Sequence, residues 1–291
     1  MSAADPVLAP QQGRARRVPL LRGQLRFFRS ELAMVFRRRR NIAMLVIIGL
    51  VPILIAIAVK VTGHNPGRGG SIFGGITDNG LFAALAAFLV VSPLFLPLVI
   101  SVVAGDSVAG EANTGTLRYL LAVPVARTRL LGVKLAAIFV WCLACVVTIA
   151  ITGVIAGLVL FPTGEFTLLS GRTVSYGDGL GRLALVAGYV TLTVVAVGAI
   201  GLFVSTMTEV PIAAMAATLT LTIVSEVIDA VPQLSPMHGW LFSHYWLRWA
   251  DLLRDPVITS GMTTGLLVTL GYVAFFVALA WARFSGKDVT S

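Results

Sequence analysis

Charge is scarce in this chain, and cysteine and histidine are scarcer still. Only 12% of its 291 residues are Asp, Glu, Lys or Arg, and there are two cysteines and three histidines. Soluble domains carry about 25% charged residues, so a water-facing globule of this length is excluded. The chain has no G-x-x-x-x-G-K-[ST] run; the nearest fragment, Gly286-Lys287-Asp288, lacks the upstream glycine and the hydroxyl that would hold magnesium. It therefore has no phosphate cradle of that kind. It also lacks HExxH, a G-x-S-G serine site and a pair of mid-membrane aspartates, which removes the common intramembrane protease chemistries.

Apolar residues fill the space that charge leaves, at 57% of the chain. They fall into blocks of about 20, the length that crosses ~30 Å of hydrocarbon. Six blocks stand near 42–59, 81–104, 136–160, 183–205, 210–229 and 262–282, predicting a single all-α membrane domain over 41–284. Lys60 and a Gly-rich loop follow the first block, so a cleaved signal peptide is not expected.

The basic residues predict the orientation. With the N-terminus inside, the arm from Arg14 to Arg40 holds ten arginines, the stretch 106–134 holds Arg118, Arg127, Arg129 and Lys134, and the tail holds Arg283 and Lys287. Lys60, Arg68, Arg172, Arg182, Arg248 and Arg254 remain for the outside, a bias of sixteen to six that puts both termini in the cytoplasm. The net charge of +9 thus has a topological explanation, and no soluble basic domain is left to bind nucleic acid. Residues 1–18, rich in Pro, Ala, Gln and Arg, read as a disordered tail, and 285–291 as a short cytoplasmic one. Across 19–40, Leu21, Leu25, Phe28, Leu32 and Val35 recur at helical spacing beside Arg22, Arg26 and Arg29, predicting an amphipathic interfacial helix. Arg37 to Arg40 then read as an anchor on anionic lipid.

One polar stretch, Asp106 to Lys134, interrupts the apolar runs with Asp106, Glu111, Gly115-Thr116-Leu117-Arg118, Pro124, Arg127 and Gly132-x-Lys134. This pattern resembles the signature of ABC-2 type transporter permeases, and the likeness extends more weakly over nearly the whole chain. The resemblance implies a cytoplasmic coupling helix in this loop, docking on a separate ATPase that binds ATP and magnesium. It further implies a second permease subunit, identical or similar, and a helix at 19–40 that acts as an elbow before the first span. Glu111 and Arg127 would form charged contacts with the ATPase or brace the loop. An ordinary solvated loop with topogenic charges is the plainer alternative.

The remaining signals lie nearer the predicted outer side. In the fifth block Thr218, Thr222, Glu226 (or Ser225) and Asp229 share a helical face, a candidate pathway lining; threonines bonded back to their own helix are the alternative. The segment 231–260 is dense in aromatics, with Trp240, Phe242, Tyr245, Trp246 and Trp249. It predicts short re-entrant or interfacial helices, and by the same resemblance an outer gate. His238 and His244 have H-x5-H spacing, but without cysteine or carboxylate partners in sequence they are expected to hold no metal. Cys142 and Cys145, at i and i+3 in the third block, are expected to pack. Gly153-x-x-x-Gly157 permits close helix approach. Taken together, the expectation is the membrane subunit of an ATP-driven exporter in the cell membrane, not itself an enzyme. An ion-coupled carrier and a non-transporting accessory or sensor protein are the alternatives.

Overall fold

The computed structural model describes residues 20–62, 79–115 and 127–285. Nine helices can be followed through them: α1 (Leu20–Arg37), α2 (Arg39–Thr62), α3 (Leu81–Val91), α4 (Phe95–Asn113), α5 (Arg127–Leu160), α6 (Tyr176–Met207), α7 (Pro211–Ala230), the single turn α8 (Ser235–His238) and α9 (Ser260–Ser285). Two short 3-10 stretches, Pro232–Leu234 and Trp246–Leu253, flank α8. Six of the helices, α2, α4, α5, α6, α7 and α9, are long and apolar enough to cross a membrane, as a multi-pass membrane protein requires. Among the described residues the strands are limited to β1 (Phe166–Thr167) and β2 (Thr173–Val174), an antiparallel pair with Phe166 opposite Val174.

Helix α6 is the centre of the bundle. Some 72% of its apolar window is buried, against 17% for α9 and 22% for α2 and α7, which form the periphery. The peripheral helices bury a narrow stripe and expose the rest. In α2 the buried stripe is Asn41, Ile48, Gly49, Pro52 and Ala56, while Val46, Ile47, Leu50, Leu54, Ile57 and Val61 point outward. A continuous belt of exposed Leu, Ile and Val is far larger than the apolar patches soluble monomers leave bare, and it suits hydrocarbon.

The elements line up between two faces. At one, the start of α2, the end of α4 and the start of α5 converge, through Arg40–Asp106 and Lys134–Glu111 contacts. This arginine face also receives α1. At the far face the end of α2 meets the end of α5, where Lys60 Nζ donates to the Leu160 carbonyl at 2.9 Å. The start of α3 lies there too, with Asn79 Nδ2 donating to the Gly164 carbonyl at 2.9 Å.

The second predicted span, 81–104, is in fact two helices. The chain breaks at Ser92–Leu94, because neither Pro93 nor Pro97 can donate an intrahelical hydrogen bond. Helix α3, with 11 residues, rises roughly 16 Å and cannot cross alone; α3 and α4 together run from the far face to the arginine face. Helix α3 fits against α5 through the Gly153/Gly157 pair. A Cβ on Gly157 would stand 2.1 Å from the Gly80 carbonyl oxygen, and one on Gly153 would stand 2.6 Å from Ala84 Cα. That pair is therefore an internal packing face. Cys142 and Cys145 are buried and unbonded in the core.

Two boundaries differ from the hydropathy reading. Helix α4 continues through Asp106 to Asn113, and α5 already begins at Arg127, so both ends of the predicted 106–134 loop are helical. The first span likewise begins at Arg39, after a one-residue break at Arg38, where Asn41 Nδ2 donates to the Val35 carbonyl at 2.8 Å.

Candidate functional site: a buried ionic network at the arginine face

Helix α1 turns Phe27, Val35 and Phe36 toward the bundle, where the Phe36 ring meets Trp141 at 5.4 Å. Val35, of the predicted apolar set, is among these inward residues. Leu25 is exposed and Glu31 sits buried among the inward residues. A carboxylate buried this deeply requires a charged partner, and α5 supplies it. Lys134 Nζ, 2% exposed, stands 3.4 Å from Glu31 Oε2 and 2.6 Å from Glu111 Oε1 of α4.

A second cluster adjoins the first. Asp106, on α4, accepts from Arg40 at 2.9 Å and is also paired with Arg38. One small cavity of about 40 Å³ is lined by residues of both clusters, including Glu31, Arg38, Asp106, Glu111 and Lys134. The six side chains balance: three cations against three carboxylates. The first cluster has one negative charge in excess and the second one positive, and Arg38 lies close enough to Glu111 to act on it.

The end of α4 is gripped from other sides as well. Ser205 of α6 donates its hydroxyl to the Gly105 carbonyl at 2.7 Å and accepts from the N–H groups of Val108 and Ala109 at 3.0 and 2.8 Å. At Gly105 the backbone of α7 comes so near that a Cβ would lie 2.7 Å from Met215 N. Gly115, at φ +70°, ends α4 in the left-handed conformation that glycine adopts without strain, and its N–H reaches the Ala112 carbonyl at 3.0 Å. Helices α1, α2, α5, α6 and α7 thus all hold the last turns of α4.

The charged residues expected at a docking surface divide into two groups. Asp106, Glu111 and Lys134 are buried in this network, paired with other side chains of the bundle rather than displayed at its surface. Thr116, Leu117, Arg118, Pro124 and the Arg127 side chain lie outside the described residues, as does the tail 1–18. Arg38 and Arg40 had been expected only as a lipid anchor; their pairing with Asp106, across 66 residues in the case of Arg40, has no local sequence signal.

The candidate pathway and gate residues run from within the bundle to the far face. Thr218 and Thr222 are buried at the contact of α7 with α4 and α6, and their hydroxyls donate to the Ala214 and Thr218 carbonyls at 2.8 and 3.0 Å. They form a packing stripe, with Ser225 continuing it by a 2.7 Å contact to Ser243. Glu226 and Asp229 are half-buried at the helix end. Short helical pieces do occupy 232–253. Four of the five named aromatics, Phe242, Tyr245, Trp246 and Trp249, are buried, and Trp240 alone is 79% exposed. Tyr189 of α6 donates to the Tyr245 carbonyl at 2.8 Å, and Tyr272 of α9 donates to that of Trp240 at 3.0 Å. The β1–β2 hairpin, unforeseen because each strand is two residues long, inserts Phe166 against Phe82 at 4.6 Å. His238 and His244 were expected to lack a carboxylate neighbour, yet both face Asp229.

The fold and this site define a helical protein with six membrane-length apolar helices, whose inner charges are collected at one face. Within that class, residues 68–290 match the model of DUF2705, a family described as a protein of unknown function, and the chain belongs to that family. The match takes in Asp106, Glu111 and Lys134 and begins after Glu31, Arg38 and Arg40. No curated protein matches the chain.

Proposed function

We propose that the chain is the membrane-spanning permease subunit of an ATP-driven exporter of the ABC-2 type, with segment 114–126 as the docking loop for a separate ATPase. The observation that carries this reading is Lys134 bridging Glu111 and Glu31, because it ties together the two helices that flank the loop. A docking element transmits motion only if its supports move as a unit, and slack at the ends of α4 and α5 would dissipate the push. The buried network makes those ends one body with α1 and the first turn of α2. The positive-inside bias puts this face in the cytoplasm, where an ATPase would meet it. Helix α1, on the same face, then serves as the elbow. A second permease chain would face the exposed sides of the peripheral helices, and membrane lipid the remainder.

The test is co-purification from crosslinked, mildly solubilised membranes, followed by ATP turnover. Wild type is compared with Arg118→Glu and Arg127→Glu, which alter the loop and leave the buried network alone. A nucleotide-hydrolysing partner recovered with wild type and lost with the loop variants, at unchanged gel-filtration profile, supports the reading. Recovery of no such partner from crosslinked membranes sinks it.

A second reading, an ion-coupled carrier, is favoured by one observation: the second span is broken, and the buried Ser92 hydroxyl at the break has no hydrogen-bond partner. Broken helices with polar groups at mid-depth are a hallmark of such carriers. Flux in vesicles driven by a proton or sodium gradient without ATP decides for it.

A further inference from the structure

Asp229 ends α7, His238 closes the single turn α8, and His244 follows in the loop before the 3-10 stretch. One ligand atom from each lies within 4.8 Å of the other two. We propose that these three side chains form a binding site for a divalent cation of the zinc class, with two nitrogen ligands, one oxygen ligand and an open position for water.

The hydrogen bonding favours this over a chance cluster. His238 Nε2 lies 3.2 Å from the Val231 carbonyl, an acceptor only, so the proton is on Nε2. That bond fixes the ring and leaves the Nδ1 lone pair directed to Asp229 Oδ1 at 3.9 Å. Two acceptors facing each other call for a positive charge between them. A ligating histidine whose other nitrogen donates to a backbone carbonyl is the usual outer-shell arrangement of metal sites. His244 Nδ1 lies 2.6 Å from the same Asp229 oxygen, and loading would exchange that proton for the ion. Ligands at 2.0–2.1 Å from zinc are roughly 3.3 Å apart in a tetrahedron, so one contact opens and the wider ones close, by rotations available to partly exposed side chains. One further feature fits. The ion-pair partners described for Asp229 are these two imidazoles, with no Lys or Arg, and Glu226 lies one turn earlier on the same helix. Imidazole with carboxylate selects zinc-class ions over magnesium or calcium, which want more oxygens.

The three ligands come from α7 and from the segment that carries the buried aromatics, so a bound ion clips that segment to the end of α7. The full chain, purified in detergent with a tag free of histidine and stripped with chelator, is exposed to micromolar Zn²⁺, desalted and assayed for metal. One zinc per chain is expected in wild type and in His64→Gln. A loss of affinity by more than an order of magnitude is expected in Asp229→Asn and His244→Gln. Because a variant can misfold, wild type is also titrated with Co²⁺, whose visible absorption reports a nitrogen-containing site directly. Absence of stoichiometric zinc and of the cobalt band would mean a hydrogen-bonded Asp–His cluster only, and unaltered zinc binding in folded variants would mean adventitious metal. Either result overturns the proposal.

Discussion

Replacing Lys134 by methionine keeps the length of the side chain and deletes its charge, leaving Glu31 and Glu111 buried in one small space with no cation between them. Both carboxylates are 7% exposed and the lysine 2%, so solvent does little to screen the loss. Removing one member of a buried ion pair costs about 3–5 kcal/mol, whereas replacing the whole set by apolar or neutral groups of similar volume is often neutral. At 2–4 °C per kcal/mol, a rule calibrated on soluble domains of about this size, Lys134→Met should melt about 10 °C below wild type. The triple variant Glu31→Gln/Glu111→Gln/Lys134→Met should recover most of that loss. Glu111→Gln should cost more than Glu31→Gln, because the first contact is 2.6 Å and the second 3.4 Å. The assay is fluorescence-detected gel filtration after a heat challenge in detergent, repeated at low and high salt. A buried network changes little with ionic strength, whereas exposed pairs are screened. A melting point for Lys134→Met equal to wild type, or a triple variant no better than the single one, refutes the buried-network argument.

Other substitutions test the remaining contacts. Gly157→Ala places a methyl 2.1 Å from the Gly80 carbonyl oxygen; overpacking against backbone costs about 1–3 kcal/mol or more, and a lowered melting point with loss of the monodisperse peak is expected. Tyr189→Phe removes the hydrogen bond to the Tyr245 carbonyl, worth about 0.5–1.5 kcal/mol, and should raise protease cleavage within 231–245 while the rest of the bundle stays resistant. Thr218→Val and Thr222→Val, at hydroxyls that bond only their own helix, should leave stability within about 1 kcal/mol of wild type, since each conserves volume and removes one modest bond. A large loss of transport with an intact melting curve would instead support the pathway reading of that stripe.

Hydropathy located the helices well because a run of about 20 apolar residues is long compared with any turn signal. It failed where the signal is conformational. The Ser92–Leu94 break lies inside continuous apolar sequence, and Pro93 and Pro97 were its only trace. It failed again at Asp106–Asn113 and Arg127–Lys134, which read as loop because they are polar. Both segments are helical, and Asp106, Glu111 and Lys134 within them are buried because their partners arrive from elsewhere: Glu31 is 103 residues from Lys134, and Arg40 is 66 from Asp106. No local pattern announces such a pairing. The Asp229–His238–His244 cluster has the same cause, since the carboxylate sits on α7 and the histidines lie beyond two turns. By contrast, Pro211 at the first position of α7 and Ser175 as the cap of α6, accepting from Asp178 N–H at 3.1 Å, follow local rules and are legible as such.

The burial of Asp106, Glu111 and Lys134 bears on how a docking loop of this kind would work. Charges suited to recognition stay in water, where they steer a partner and release it again; charges suited to rigidity are buried and balanced. Asp106, Glu111 and Lys134 are of the second sort, and substituting any of them is expected to loosen the contact between α4 and its neighbours. Under the permease reading, discrimination among ATPases then falls to Thr116, Leu117, Arg118, Pro124 and Arg127, and the network supplies stiffness alone. The two roles separate experimentally. Loop variants should change the affinity for the ATPase at constant melting temperature, while network variants should lower the melting temperature first and lose the partner in proportion. If Arg118→Glu and Arg127→Glu lowered stability as far as Lys134→Met does, the loop would be part of the same packed body, and this separation of recognition from stiffness would be wrong.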